Sequence, residues 1–272
     1  MALAALDKDT PVQAVPVDLA GAAALVPNDL TIAGMSKRFG ADRPVLDRLD
    51  LLVPRGQALS IIGANGAGKS TLLRCCLRLI EPDSGELRLL SHDVTRAKRR
   101  ELRRLRARIG FVFQRHNLVP RLSALSNVLH GTLARDGGPG CWHQAVAPER
   151  LRREAIACLE RVGLPHVAAQ RADQLSGGQS QRVAIARMLM QHPELVMADE
   201  PVASLDPVAG EEVMALLCDL MRDQGLTLVF TTHNLHHAVT YADRIVGLRH
   251  GRLELDAPSR GQRPAELEDI YG

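Results

Sequence analysis

Several things are scarce in this 272-residue chain. No run of about 18 apolar residues occurs, which argues against a membrane-spanning helix. The start, MALAALDKDT, lacks a basic stretch followed by a long apolar one, so a secretory leader is not expected and the chain reads as cytoplasmic. Cysteine is sparse and odd in number: Cys75, Cys76, Cys141, Cys158 and Cys218, with no C-x-x-C pair. That excludes a disulfide framework and a cysteine-rich zinc site. Aromatic residues are only 3% of the chain, too few for a base-stacking platform. The 34 basic residues are mixed with 31 acids, so charge gives no footprint for nucleic acid either. Lysine is rare, confined to Lys8, Lys37, Lys69 and Lys98.

What is present is ordinary globular composition, 46% hydrophobic and 24% charged. Residues 1–28, rich in Ala, Val and Pro, read as a mostly disordered tail, with a short docking helix as the alternative. Beyond them, apolar runs predict strands at Leu30–Gly34, Leu49–Val53, Ala58–Ile62, Glu86–Leu90 and Ile109–Phe113. Further strands are predicted at Leu195–Ala198, Thr227–Thr231 and Ile245–Leu248. Helical patterns cover Ser70–Leu79, Arg99–Arg106, much of 122–172 with a break near 136–140, Gly178–Gln191, Val208–Arg222 and Asn234–Val239. Arg249–Asp256 reads as a hairpin turning at His250–Gly251. Strands alternating with helices predict an α/β fold with a mainly parallel core sheet, and the helical stretch 115–185 reads as an insertion. In ELRRLRAR, Leu102 and Leu105 face inward and the arginines form a solvated face.

The strongest chemical signal is Gly63-Ala64-Asn65-Gly66-Ala67-Gly68-Lys69-Ser70, which fits G-x-x-x-x-G-K-[ST] between a strand and a helix. Glycines let backbone N–H groups close around phosphate oxygens. The helix that follows aims its positive end at the same anion. Lys69 supplies charge for the β- and γ-phosphates, and Ser70 a hydroxyl for Mg²⁺. The apolar strand Leu195–Ala198 runs into Asp199 and Glu200. At the ligand edge of a parallel sheet, Asp199 can hold Mg²⁺ and Glu200 can polarise an attacking water.

With these motifs, Leu175-Ser176-Gly177-Gly178-Gln179 makes the chain resemble the ATP-binding cassette (ABC) family of ATPases from about Leu30 onward. The resemblance implies a P-loop cassette over 29–272, with a small antiparallel part and an inserted helical subdomain near 115–185. ATP and Mg²⁺ would lie on Gly63–Ser70 and Thr71. Phe39 would stack on adenine, the alternative being a core phenylalanine. Gln114 would sense Mg²⁺ and water at the subdomain hinge, and His233 would touch the γ-phosphate. Ser176, Gly177, Gly178 and Gln179 would close over the nucleotide of a second copy, with Asp206 of Ser204-Leu205-Asp206 linking the two sites. His233, His236 and His237 fall at i, i+3, i+4, a spacing that suits metal ligands, but no cysteine or carboxylate completes the set and His233 has the better role at the strand end, so a metal site is not expected.

RCCLRLIEPDSG (74–85), ELRRLRARIGFVFQRHNLVPRLSALSNVLHG (101–131), QRADQLSGGQ (170–179), ADEPVASLDPV (198–208), YADRIVGLRHG (241–251) and the closing LEDIYG resemble one subfamily, the phosphonate importers. Ala64, in place of the more usual proline, and Asn234, where that subgroup usually has glutamine, depart from its pattern. Membership implies a peripheral subunit on the cytoplasmic face of the cell membrane. Its partners would be a second copy of itself, two permease subunits and an extracytoplasmic substrate-binding protein. Export, transport of another solute, or an accessory role in phosphonate breakdown remain open from sequence.

Overall fold

The computed structural model describes residues 26–40, 44–135 and 138–271. The reading of 1–28 as a disordered tail lies almost wholly outside them, and Asn28 already begins a strand. In chain order the elements are β1 (Asn28–Lys37), β2 (Leu46–Pro54), β3 (Ala58–Ile62), α1 (Lys69–Cys76), β4 (Ser84–Leu89), β5 (His92–Asp93), α2 (Arg99–Arg106) and β6 (Ile109–Val112). Then come α3 (Ala124–Leu129), α4 (Glu149–Arg161), α5 (Gly177–Leu189), β7 (Leu195–Asp199), α6 (Pro207–Asp223), β8 (Thr227–Thr231), α7 (Leu235–Tyr241), β9 (Arg244–Arg249) and β10 (Arg252–Pro258). A 3₁₀ stretch, Pro264–Tyr271, ends the description.

Two sheets result. The larger has the order β10-β9-β3-β8-β7-β6 and is parallel except for β10. The smaller, β2-β1-β4-β5, is antiparallel. Every residue of β3, β7 and β8 is buried, as expected of central strands covered on both faces. Strand periodicity of two assigns alternate residues to two separate cores. Leu59, Ile61, Met197 and Val229 join β1, β2, β4 and α1 on one side; Ile62, Val196, Ala198, Leu228 and Phe230 join α3 to α7 on the other. All five cysteines lie in these cores as free thiols. Burial pushes Cys75 and Cys158 up to about 11 and Cys218 to about 12, so they stay protonated.

Most predicted elements form, with shifted ends. The hairpin turns at His250 and Gly251, which both take positive φ as a two-residue turn requires. Strand β5 has only two residues, too short to leave a periodic pattern, and follows a turn of Leu90 and Ser91 at positive φ. Residues 122–172 are less helical than their composition suggests. Only α3 and α4 are α-helical there, joined by 3₁₀ turns and irregular chain, and positions 136–137 of the expected break lie outside the described residues. Side chains latch the irregular chain after α3: the Gln144 N–H donates to the Ser126 hydroxyl at 3.2 Å, and the Ser123 hydroxyl donates to Gln144 Oε1 at 2.8 Å. Backbone that a helix would pair internally is thus satisfied by side chains.

In α2, Leu102 and Leu105 are buried as predicted, and Arg99, Arg100, Arg103 and Arg104 are exposed. Arg106 is not part of that solvated face. Its guanidinium donates to the carbonyls of Leu77 and Arg78 at 2.8 and 2.7 Å, satisfying the end of α1.

Candidate functional site

Four neighbouring parallel strands, β3, β8, β7 and β6, end at one edge of the large sheet, where parallel sheets place their ligands. β3 runs into Gly63, β8 into Thr232 and His233, β7 into Asp199 and Glu200, and β6 into Phe113 and Gln114. Register fixes the match across the edge: Asp199 pairs with Thr231, Ile61 with Thr231, and Val112 with Ala198.

The loop Gly63–Gly68 needs its glycines for two reasons. Gly63, Gly66 and Gly68 have φ of 147, 83 and 108°. A Cβ at Gly63 would also lie 2.2 Å from the Leu248 carbonyl oxygen, and one at Gly68 2.7 Å from that of Val45. Gly63→Ala is therefore expected to open the loop away from β9 and to weaken ATP binding at least tenfold, measured by nucleotide titration. Affinity unchanged from wild type would show that this backbone approach is not needed.

Lys69, 4% exposed, folds back over the loop. Its ammonium donates to the Gly63 carbonyl at 2.7 Å and the Ala64 carbonyl at 3.2 Å, and stands 3.7 Å from Glu200. Ser70 donates its hydroxyl to Asp199 at 2.8 Å. Asp199, only 2% exposed, also accepts from the Thr231 hydroxyl at 3.1 Å and faces Arg74 at 3.7 Å. Glu200 turns the chain with a φ of 47°, uncommon for a side chain with a Cβ. Its amide donates to the Thr231 hydroxyl at 2.9 Å. Around its carboxylate stand Lys69, Gln114 Nε2 at 3.4 Å and His233 Nδ1 at 3.9 Å. Thr71 sits half-buried beside Ser70 in the first turn of α1.

The structure thus gathers Lys69, Gln114 and His233 around Glu200 and pairs Ser70 with Asp199, the Thr231 hydroxyl joining the two groups. Ala64, Asn65, Gly66 and Ala67 line the outer, open part of the loop. Phe39 is 50% exposed with Lys37 Nζ 5.4 Å from its ring centroid, so it is a surface platform and not a core residue. Asp83 holds Lys37 at 2.7 Å and accepts the Arg38 N–H, which fixes this corner.

Leu175–Gln179 forms the start of α5, away from the carboxylate cluster in the contacts it makes. Ser176 caps the helix by accepting from the Gln179 N–H, and Gln179 accepts from the Ser176 N–H in return. Ser176 and Gly177 are exposed. A Cβ on Gly177 would meet Leu205 at 3.1 Å, and one on Gly178 would meet Ala209 at 3.4 Å, so this segment packs on the loop carrying Asp206. Asp206 is exposed and caps α6 through the Ala209 N–H at 3.0 Å.

Several participants have no motif to announce them. Thr231 ends a fully buried strand, and only the register places its hydroxyl between Asp199 and Glu200. Arg187 of α5 donates to the carbonyls of Asn117 and His116 at 2.6 and 2.9 Å, binding the segment after Gln114 to the helix that begins at Gly177. Tyr271 lies near Gly63 and Glu200, and burial raises its phenol above the ordinary range. A carboxylate remote in sequence, Glu211, lies 3.0 Å from His237 and 4.0 Å from His236, yet no metal-holding group of three or more His, Cys, Asp or Glu occurs among the described residues.

The glycine loop, the two-carboxylate strand end and the helix beginning at Gly177 are set on a parallel sheet with an antiparallel annex, and this defines an ATP-binding cassette. The chain belongs to the ABC transporter family, whose model matches residues 46–203. Among curated relatives it is 46% identical to the phosphonates import ATP-binding protein PhnC 1 of Ruegeria sp. (strain TM1040), over 89% of this chain and 94% of the relative. It is 48% identical to the phosphonates import ATP-binding protein PhnC of Nocardia farcinica, over 87% of this chain and 88% of that one. Among solved structures it is similar to the ATP-binding cassette MJ0796 in a dimeric post-hydrolysis state bound to ADP and Pi. The TM-score is 0.75 at 34% identity, covering 86% of this chain and 100% of the other.

Proposed function

We propose that the chain is the ATP-hydrolysing subunit of an importer of phosphonates or related phosphorus oxyanions. In this reading it works as a head-to-tail pair beneath two membrane-spanning permease subunits, fed by an extracytoplasmic substrate-binding protein. No helix among the described residues is long and apolar enough to cross a membrane. The membrane part is therefore assigned to other chains, and this one sits peripherally on the cytoplasmic face. The observation that carries the ATP chemistry is the convergence of Lys69, Ser70, Asp199 and Glu200 at the mouth of the glycine loop. The transported solute rests on the relatives named as phosphonate importers.

The triphosphate lies on the loop amides and the N-terminus of α1, with Lys69 turning from the loop carbonyls to the β- and γ-phosphates. The Ser70 hydroxyl and the Asp199 carboxylate, 2.8 Å apart, form a hard oxygen pair suited to Mg²⁺, with the Gln114 amide at its edge. When bound, Mg²⁺ supplies charge neutralisation on the β- and γ-oxygens. Glu200 takes the proton of the attacking water, and His233 steadies the γ-phosphate. Phe39 stacks on adenine. Ser176, Gly177, Gly178 and Gln179 cover the nucleotide of the second copy, and Asp206 meets it across the pair. The ATPase unit is read as 29–272, with the helical part 115–185 moving about Gln114 and its stretch 115–133 receiving the permease.

The test is uptake of labelled phosphonate, phosphite and phosphate by a strain lacking this chain. Loss of phosphonate uptake, restored by the wild-type chain and not by Glu200→Gln, is the expected result. Unchanged uptake of all three solutes would overturn the substrate assignment. Co-purification with a lyase complex in place of a permease would move the chain to phosphonate breakdown.

A further inference from the structure

Behind the phosphate site lies a polar network that the hydrolytic roles leave unused. Glu211 sits on α6, roughly one and a half turns past Asp206. Its carboxylate accepts the Tyr241 hydroxyl at 2.5 Å and faces His237 Nε2 at 3.0 Å. Both partners belong to α7. At the start of that helix the Asn234 side chain accepts from the backbone N–H groups of His236 and His237 at 2.9 and 3.4 Å, and His233 is the residue just before it. One carboxylate therefore joins the helix that begins at Asp206 to the helix that begins beside His233. Glu211 and His237 also line a cavity of ≈ 280 Å³ shared with Glu200, Asp206 and His233.

Burial holds the His237 imidazole below its ordinary range, so it is neutral at pH 7. Nε2 of the ring faces both the Glu211 carboxylate at 3.0 Å and the Asn234 side-chain amide nitrogen at 3.3 Å. Nδ1 is buried and without a hydrogen-bond partner among the described residues. The Tyr241 hydroxyl holds the Glu211 carboxyl below the usual carboxylate range. Burial, and after it Glu211, raises the Tyr241 phenol, which stays a donor. Glu211 thus accepts the Tyr241 hydrogen bond as an anion, the stronger and more directional kind, and its other oxygen faces His237.

We propose that Glu211 is a positioning residue for ATP hydrolysis: by holding Tyr241 and His237 it locks α7 to α6, so that His233, Glu200 and Asp206 keep one spacing across their shared cavity. This rests on the reading of Glu200 and His233 as hydrolytic groups and of Asp206 as the contact to the second copy. Movement of Asp206 on closure of the pair is then passed through α6 and Glu211 to His233.

The experiment is steady-state ATPase kinetics on Glu211→Ala, Glu211→Gln and Tyr241→Phe, with nucleotide affinity and melting temperature measured beside them and Glu200→Gln run in parallel. Glu211→Ala is expected to lower kcat about tenfold, the scale of a small misplacement of reacting groups, while KM and nucleotide affinity stay within about twofold. Its cooperativity in ATP should fall as well. Glu211→Gln keeps an acceptor for Tyr241 and should recover part of kcat, and Tyr241→Phe should lie between Glu211→Ala and wild type. Should Glu211→Ala fail to fold, the other two variants still decide the matter. Wild-type kcat and cooperativity in the folded variants overturn the proposal, as does a loss of kcat matched by an equal loss of nucleotide affinity. Normal turnover by Glu200→Gln would remove the underlying reading as well. A Glu200→Gln variant that is inactive beside silent Glu211 variants would remove this inference alone.

Discussion

Glu200→Gln is expected to bind ATP and to lose turnover by a factor of about 10² or more, the range general-base catalysis supplies. The side chain is 14% exposed, at the end of β7, and its backbone is held in the left-handed region by the Thr231 hydroxyl. Glutamine has the same shape, so the approach of Gln114 and the backbone turn persist. What disappears is the ability to take a proton from water. The substitution also removes a negative charge 3.7 Å from Lys69, in the space where a triphosphate must arrive. Binding should therefore hold or tighten, and the pair of copies should accumulate closed with ATP trapped. Single-turnover kinetics and size-exclusion chromatography with ATP measure the two effects. Normal turnover would remove Glu200 as the base.

Lys69→Ala should act at the earlier step. The ammonium is almost fully enclosed and satisfied by two loop carbonyls and the nearby Glu200. Its removal unpairs the carbonyls, leaves Glu200 without its nearest cation and takes away the charge that meets the phosphates. A hydrogen bond to a charged group contributes about 1.5–3 kcal/mol. Loss of one such contact to ATP corresponds to a fall in affinity of about tenfold to about 150-fold. Nucleotide titration, with turnover at saturating ATP, reads this directly. Wild-type affinity and rate would show that the loop does not hold the nucleotide. The two substitutions separate binding from chemistry: Glu200→Gln changes the rate with affinity kept, and Lys69→Ala changes affinity first.

Much of the site was legible because its chemistry imposes local rules. A backbone wrapped around phosphates needs glycine at positive φ, and Gly63, Gly66 and Gly68 obey. The apolar strands before Lys69 and Asp199 were readable because central parallel strands are buried on both faces. The segments that resisted had a different determinant. Between α3 and α5 the chain follows side-chain latches such as the Gln144 amide to the Ser126 hydroxyl, and these belong to no period. The arginine run looked uniform in sequence, yet Arg106 differs from its neighbours because the open carbonyls of Leu77 and Arg78 lie within its reach.

By itself the sequence determined the phosphate loop, the acidic strand end and the order of the strands, since each depends on residue type at short range and on hydrophobic period. It also carried the family resemblance that the relatives bear out. Tertiary structure decided which distant residues meet. Thr231 reaches Asp199 across 32 positions, His237 reaches Glu211 across 26, and Gln114 reaches Glu200 across 86. Such meetings follow from strand register and helix packing, which the whole core sets at once; no local pattern encodes them.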